Sequence, residues 1–108
     1  MAFKAHYSQQ NGYSTNTAQK YFNFDKSFIS LSPEEDKRKN WVDGEPSNTF
    51  HYRYWFVQEG NPPFEVKFDD IQKISQFDEV SFQELEACEV RGKVYFRAKQ
   101  AKITKKGE

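Results

Sequence analysis

The sequence predicts a mainly β fold: a small barrel of five strands with a short helical insert. Three observations carry that expectation. Eleven Phe, six Tyr and two Trp make the 108 residues 18% aromatic, while all hydrophobic residues together reach only 36%. Rings must therefore supply much of the core, and each buries roughly 150–250 Å², most readily from strands. Second, apolar residues recur at every second position in several runs. Third, clusters of Gly, Pro, Asn and Asp separate those runs at hairpin-like intervals.

Taken in order, residues 1–19 read as a flexible polar tail, since Ser8 to Thr17 lacks both periodicity and apolar surface. A single β domain spans 20–103. Tyr21, Phe22 and Phe24, then Phe28, Ile29 and Leu31, are short β-like pieces. Ser32-Pro33 either starts a helical turn, with Ser32 as N-cap and Pro33 at the first helical position, or opens an acidic loop before Lys37-Arg38-Lys39. Asp43 to Asn48 is a turn cluster between Trp41-Val42 and a strand over 49–57. On that strand Phe50, Tyr52, Tyr54 and Phe56 share one face, and His51, Arg53, Trp55 and Val57 the other.

Gly60-Asn61-Pro62-Pro63 ends this strand, and 64–68 follows with Phe64, Val66 and Phe68 inward. Residues 69–75 suit one or two helical turns. In 79–90, Val80 and Phe82 share one parity and Leu85 and Ala87 the other, which predicts a bulge near Gln83-Glu84. Arg91-Gly92 turns the chain into 93–103, where Val94, Phe96 and Ala98 point inward and Tyr95, Arg97 and Lys99 outward. Residues 104–108 form a basic C-terminal tail.

Five strands with an insert before the fourth match the plan of the oligonucleotide/oligosaccharide-binding fold, a partly open Greek-key barrel. An antiparallel sandwich or an SH3-like barrel accommodates the same string. The length suits one domain and leaves no room for a second core or a large multi-part active site. No apolar run approaches the roughly 18 residues of a membrane span, and Met1 to His6 lacks the apolar core of a secretory signal. The single Cys88 excludes an internal disulfide framework and a thiolate zinc cluster. These features point to a reduced, cytoplasmic setting.

Signatures of catalysis are missing. The five glycines are scattered singly at turns, so no phosphate-cradling loop exists, and there is no Gly-x-Ser-x-Gly nucleophile elbow. Two histidines, His6 and His51, are too few for a usual zinc site, and Glu86 and Glu89 beside Cys88 disfavour a reactive thiolate. Asp69-Asp70 and Asp78-Glu79 read as solvated loop acids. The expectation is a non-enzyme with no metal and no cofactor.

Aromatics interleaved with bases are the more informative feature. Single-stranded nucleic acid is held by bases stacked on rings and by cations that follow the backbone, each stack contributing roughly 1–3 kcal/mol. His51, Arg53 and Trp55 would project from one strand, and Tyr95, Arg97 and Lys99 from another. If those strands share a sheet, the six make one stacking and phosphate-contacting surface, extended by Lys37, Arg38, Lys39 and Trp41. Charge is also segregated. Residues 59–89 hold nine acids and two bases, a net −7, whereas 91–108 hold seven bases and one acid, a net +6. Lys102 belongs to this basic end, which suits a phosphate-tracking segment.

The runs Tyr52-Arg53-Tyr54-Trp55-Phe56-Val57, Pro63 to Phe68 and Leu85 to Ala98 resemble small uncharacterised proteins of conjugative plasmids and transposons in Gram-positive bacteria, some of which look like single-strand DNA-binding barrels. The similarity covers roughly Asp36 to Lys102. It implies DNA handling during plasmid or phage replication or transfer, and it carries no catalytic residue across. The expected function is thus sequence-tolerant binding of single-stranded DNA, or RNA, by Trp55, Tyr95 and Trp41 as stacking rings and Arg53, Arg97, Lys99 and Lys37 to Lys39 as phosphate contacts. The alternative is a protein–protein module, such as a mobile-element-encoded inhibitor or adaptor, that presents its acidic 59–89 segment to a basic partner; a structural virion component is a third class. An exposed edge strand would permit a homodimer.

Overall fold

The computed structural model describes residues 12–107. It is mainly β: one helical turn, α1 (Thr15–Ala18), precedes eight strands, β1 (Phe28–Ser30), β2 (Asp36–Val42), β3 (Glu45–Val57), β4 (Phe64–Phe68), β5 (Glu79–Gln83), β6 (Glu86–Val90), β7 (Lys93–Arg97) and β8 (Gln100–Lys105). They form a single sheet in the order β6-β7-β4-β3-β1-β5-β8, with β2 paired to β3 off this path. The sheet is open, since β6 and β8 at its ends do not pair with each other.

In place of the expected partly open barrel of five strands, the ladders form eight strands in one open sheet. The run over 79–90 is two strands, β5 and β6, that are not neighbours. The parity change at Gln83-Glu84 marks that division rather than a bulge, and Glu84 takes a positive φ there. The run over 93–103 divides at Ala98-Lys99 into β7 and β8. Lys37 to Lys39, expected in a loop, lie on β2. Because β4 pairs in parallel with β7, the wholly antiparallel sandwich does not apply.

The helical insert expected over 69–75 is also absent. This segment is irregular, with Gln72 buried and Ile74 packed against the core while Ile71 is exposed. Gln72 fixes it in place. Its backbone amide donates to the Tyr54 hydroxyl (2.9 Å), and its side-chain oxygen accepts from the Ala101 amide on β8 (2.8 Å). Those bonds tie β3 to β8 through one residue, its backbone on one side and its side chain on the other.

The sheet is strongly rolled. In a flat sheet β4 and β5, three strand steps apart, would sit about 14 Å from each other. Yet the rings of Phe64 and Phe82 lie 6.4 Å apart, as do those of Phe68 and Phe82. The concave side holds the core: Phe22, Phe28, Tyr54, Phe56, Phe64, Val66, Phe68 and Phe96, with Phe82 packed against it. The inward residues of β3, β4 and β7 are those the alternation assigns.

Two tight hairpins shape the outline. Asp43-Gly44 joins β2 to β3 and Arg91-Gly92 joins β6 to β7, all four residues at positive φ. That backbone matches the right-handed twist of the paired strands. Of the tail expected over 1–19, residues 1–11 lie outside the described residues. The remainder is built into the fold: Ser14 bridges Ala87 on β6, its hydroxyl caps α1 by accepting from the Thr17 amide (3.1 Å), and Thr17 and Ala18 are buried.

At the other end, the buried Asp78 carboxylate accepts bonds from the Gly107 amide (2.8 Å), the Ser75 amide (2.8 Å) and Lys106 Nζ (3.3 Å). Gly107 approaches so closely that a Cβ would collide with the Phe77 carbonyl. The Gly107 amide first, then that of Ser75, holds the Asp78 carboxyl below the ordinary carboxylate range. A depressed folded-state pKa gives stability that is present above the unfolded value and lost as pH falls through the folded one. Thermal melts should therefore show an acid-sensitive component below about pH 4. In Asp78→Asn that component should vanish, with a lower melting temperature at neutral pH.

Candidate nucleic-acid interface

Three adjacent strands, β3, β4 and β7, present one convex face. Register aligns its side chains in two rows. Arg53 opposes Lys67, and Lys67 opposes Arg97. Trp55 opposes Glu65, and one residue earlier on the parallel pair sets Glu65 beside Tyr95. Trp55 is 46% exposed and Tyr95 48%. Two strand spacings separate them, about 10 Å.

A groove of about 410 Å³ runs along this face. Tyr13, Trp55 and Tyr95 supply rings, Arg53, Lys67 and Lys93 supply cations, and Glu65 is the acid among its described lining residues. Phe64 and Phe96 of the core reach its floor. Tyr13 comes from the segment before α1. Its ring lies under the Arg97 guanidinium at 4.3 Å, a cation–π contact. Burial, above all, raises the Tyr13 hydroxyl pKa.

The arginines are held rather than loose. Arg97 Nε donates to Glu86 Oε1 (2.7 Å), and Arg53 Nη1 donates to Glu65 Oε1 (3.4 Å). Arg53 Nε also donates to His51 Nε2 (3.1 Å). Arginine has no acceptor, so this bond makes Nε2 the unprotonated ring nitrogen. Nδ1 then carries the proton and donates to Asn40 Oδ1 (2.7 Å), while Asn40 Nδ2 donates to Thr49 Oγ1 (2.9 Å). His51 is 5% exposed. It therefore offers no surface for a ligand, contrary to the expectation that it projects with Arg53; its role is to orient Arg53. Burial, reinforced by Lys67, Arg53 and Arg38, lowers its pKa.

The remaining expected residues scatter. On β2, Arg38 opposes His51, so it shares the Arg53 face, where it pairs with Asp36 (2.9 Å). Lys37 and Lys39 oppose Tyr52 and Phe50 and belong to the other face; Lys37 Nζ sits 4.2 Å from the Phe50 ring centroid. Trp41 is 68% exposed but opposes Pro46, nine residues along β3 from Trp55, a span of up to about 30 Å. It lies at the hairpin tip, away from the groove. Lys99 lines a second depression with Lys67 and Arg97 and stands 3.9 Å from Glu84. Lys102 is on β8 opposite Ser81, at the far end of the sheet path.

No family model, curated protein or solved structure matches this chain. Among the described residues, no helix is long and apolar enough to cross a membrane, and no cluster of His, Cys, Asp and Glu is placed to hold a metal ion. Cys88 is buried opposite Tyr95.

The sequence reading missed Tyr13, Glu65, Lys67 and Lys93. Glu65 and Lys67 were legible from the same alternation that placed Phe64, Val66 and Phe68 inward. Tyr13 was not, because only the docking of α1 on β6 brings it to the face. Replacing His51 by Ala orphans Asn40 Oδ1 and Arg53 Nε, which should cost about 1–3 kcal/mol in denaturant unfolding. A depressed histidine pKa means the unfolded chain takes up its proton first, so wild-type stability should decline as pH falls below about 6.5, and the Ala variant should lack that slope.

Proposed function

We propose that this protein binds single-stranded DNA along the β3–β4–β7 face, without a catalytic step. The observation that carries the reading is the pair of exposed rings, Trp55 and Tyr95, about two strand spacings apart in a row that is flanked by the cationic row Arg53, Lys67 and Arg97. Rings take the bases, and cations take the phosphates between them. Lys93 and Tyr13 extend the same surface.

Topology supports the same reading. The kinked run from β7 into β8 touches both neighbours across the roll, since the Ala98 amide donates to the Lys67 carbonyl (3.1 Å) and the Lys99 amide to that of Gln83 (3.0 Å). Counting the β7–β8 run as one strand with β1, β3, β4 and β5, we infer a five-stranded, partly open barrel arrangement within the sheet. In oligonucleotide-binding barrels the second and third strands, with the first and fourth connections, hold the strand. Here these are β3 and β4, the β2 arm with Arg38, and β6 with its turn. A role in plasmid or phage DNA handling remains part of this proposal through the resemblance of the Tyr52–Val57 and Leu85–Ala98 runs.

The acidic 59–89 segment favours no second reading. Asp78 and Glu89 are buried, and Glu65 and Glu86 are paired with Arg53 and Arg97. Glu59 and Glu84 pair with Lys26 and Lys99 as well, so six of its nine acids are buried or paired.

Fluorescence anisotropy of a labelled single-stranded oligonucleotide tests the proposal. Binding should appear at low salt, with log K falling against log salt by about 0.7 for each phosphate neutralised. Trp55→Ala and Tyr95→Ala should each weaken it by roughly 1–3 kcal/mol, and a duplex of the same sequence should bind less. No binding at low salt removes the reading.

A further inference from the structure

Glu65 is the feature of the groove that backbone binding leaves unexplained. A carboxylate beside three cations repels phosphate, so a site made only to follow a sugar–phosphate chain gains nothing from it. It lies between the two exposed rings in the cross-strand row, where a base rather than a phosphate would rest. Its Oε1 accepts from Arg53 Nη1 at 3.4 Å, and both side chains are partly open, 27% for Glu65 and 35% for Arg53. Oε2 has no hydrogen-bond partner among the described residues.

Side by side, Arg53 and Glu65 present a donor and two acceptors: a guanidinium N–H, then Oε1, then Oε2. The Watson–Crick edge of cytosine carries the same order, the N4 donor followed by the N3 and O2 acceptors. Its complement is guanine, with the O6 acceptor, the N1 donor and the N2 donor. Thymine places its O2 acceptor where guanine has N2–H, and that oxygen would face a carboxylate oxygen. Adenine offers one donor and one acceptor and leaves an acceptor of Glu65 unmatched. In a single strand this edge is free to be read while the ring stacks. Arg53 is aimed for this by the His51–Asn40 chain, which leaves its Nη2 uncommitted to His51 or Glu65.

Resting on the single-strand reading above, we propose that the groove is selective: the Arg53–Glu65 pair reads the Watson–Crick edge of one guanine, stacked on Trp55 or Tyr95, within a single-stranded segment. Glu65 then sets specificity, and the rings and the row Arg53, Lys67 and Arg97 set general affinity.

The test uses the full chain and labelled oligothymidines carrying one central guanine, cytosine or adenine, or none, read by anisotropy at fixed salt. The guanine oligonucleotide should bind on the order of tenfold more tightly than the others. Glu65→Gln, which exchanges one acceptor for a donor, should erase that preference while oligothymidine affinity stays within a few-fold. Four equal affinities overturn the guanine proposal and leave strand binding standing, whereas no binding to any of the four overturns both. An equal loss across all four in Glu65→Gln would mean that Glu65 only steadies Arg53, and that overturns the base-reading role. Guanosine monophosphate separates the sources of the base: weak competition supports a strand, and competition as strong as the oligonucleotide's overturns it in favour of a free nucleotide. Thermal melts of Glu65→Gln that match wild type establish that the variant is folded.

Discussion

The register between β3 and β4 is the constraint on which the rest depends. Phe56 opposes Phe64, Tyr54 opposes Val66 and Tyr52 opposes Phe68. All of these but the half-buried Tyr52 are buried, with Phe56 and Phe64 ring centroids 6.0 Å apart. Side chains alternate with a period of two, so a slip of one residue would drive Trp55 and Arg53 into the core and expel Phe56. The cost of that exchange, two buried rings lost and a guanidinium desolvated, excludes the slipped state. The outer face is thus dictated by the inner one, and the ligand-facing geometry is a by-product of aromatic packing.

How much of this was legible follows from where each signal lives. Alternation is local, so the inward set Tyr54, Phe56, Phe64, Val66, Phe68 and Phe96 could be read directly, and with it the outward set Arg53, Trp55, Tyr95 and Arg97. Long-range pairing is not local. Nothing in the residues 79–90 says that the two halves of the run part company and pair at opposite ends of the sheet; the parity break at Gln83-Glu84 marked the place without revealing the event. The 69–75 segment misled because Asp-Asp-Ile-Gln-Lys-Ile holds no Gly or Pro to break a helix, and the bonds between Gln72 and both Tyr54 and Ala101 decide against one from far away in sequence. His51 misled for a related reason. Its parity is that of Arg53, but the Asn40 and Arg53 side chains take up both of its ring nitrogens, and parity says nothing about such neighbours.

Electrostatically the face is reserved rather than bare. Arg53 and Arg97 are each shared between a carboxylate and a second partner, His51 for one and the Tyr13 ring for the other. Pairing of this kind lowers the attraction for phosphate, because an incoming oxygen must compete with a carboxylate already in place. It also fixes the direction of each guanidinium, so less side-chain entropy is lost when a ligand arrives. The balance favours discrimination over raw affinity, and it accords with a chain whose net charge is zero.

The junction between β7 and β8 has a kinetic consequence. One short stretch pairs with β4 on one side and with β5 on the other, and the Asp78 clasp with Gly107 forms beyond it. Apart from the local pairs β2–β3, β3–β4 and β6–β7, the ladders join segments farther apart in the chain, so loops must close before those ladders are rewarded. A topology of this kind folds in milliseconds to seconds rather than microseconds. Until residues 93–107 find their place, β4 and β5 keep bare edges, and the newly made chain passes through an interval in which those edges are open to pairing with other chains.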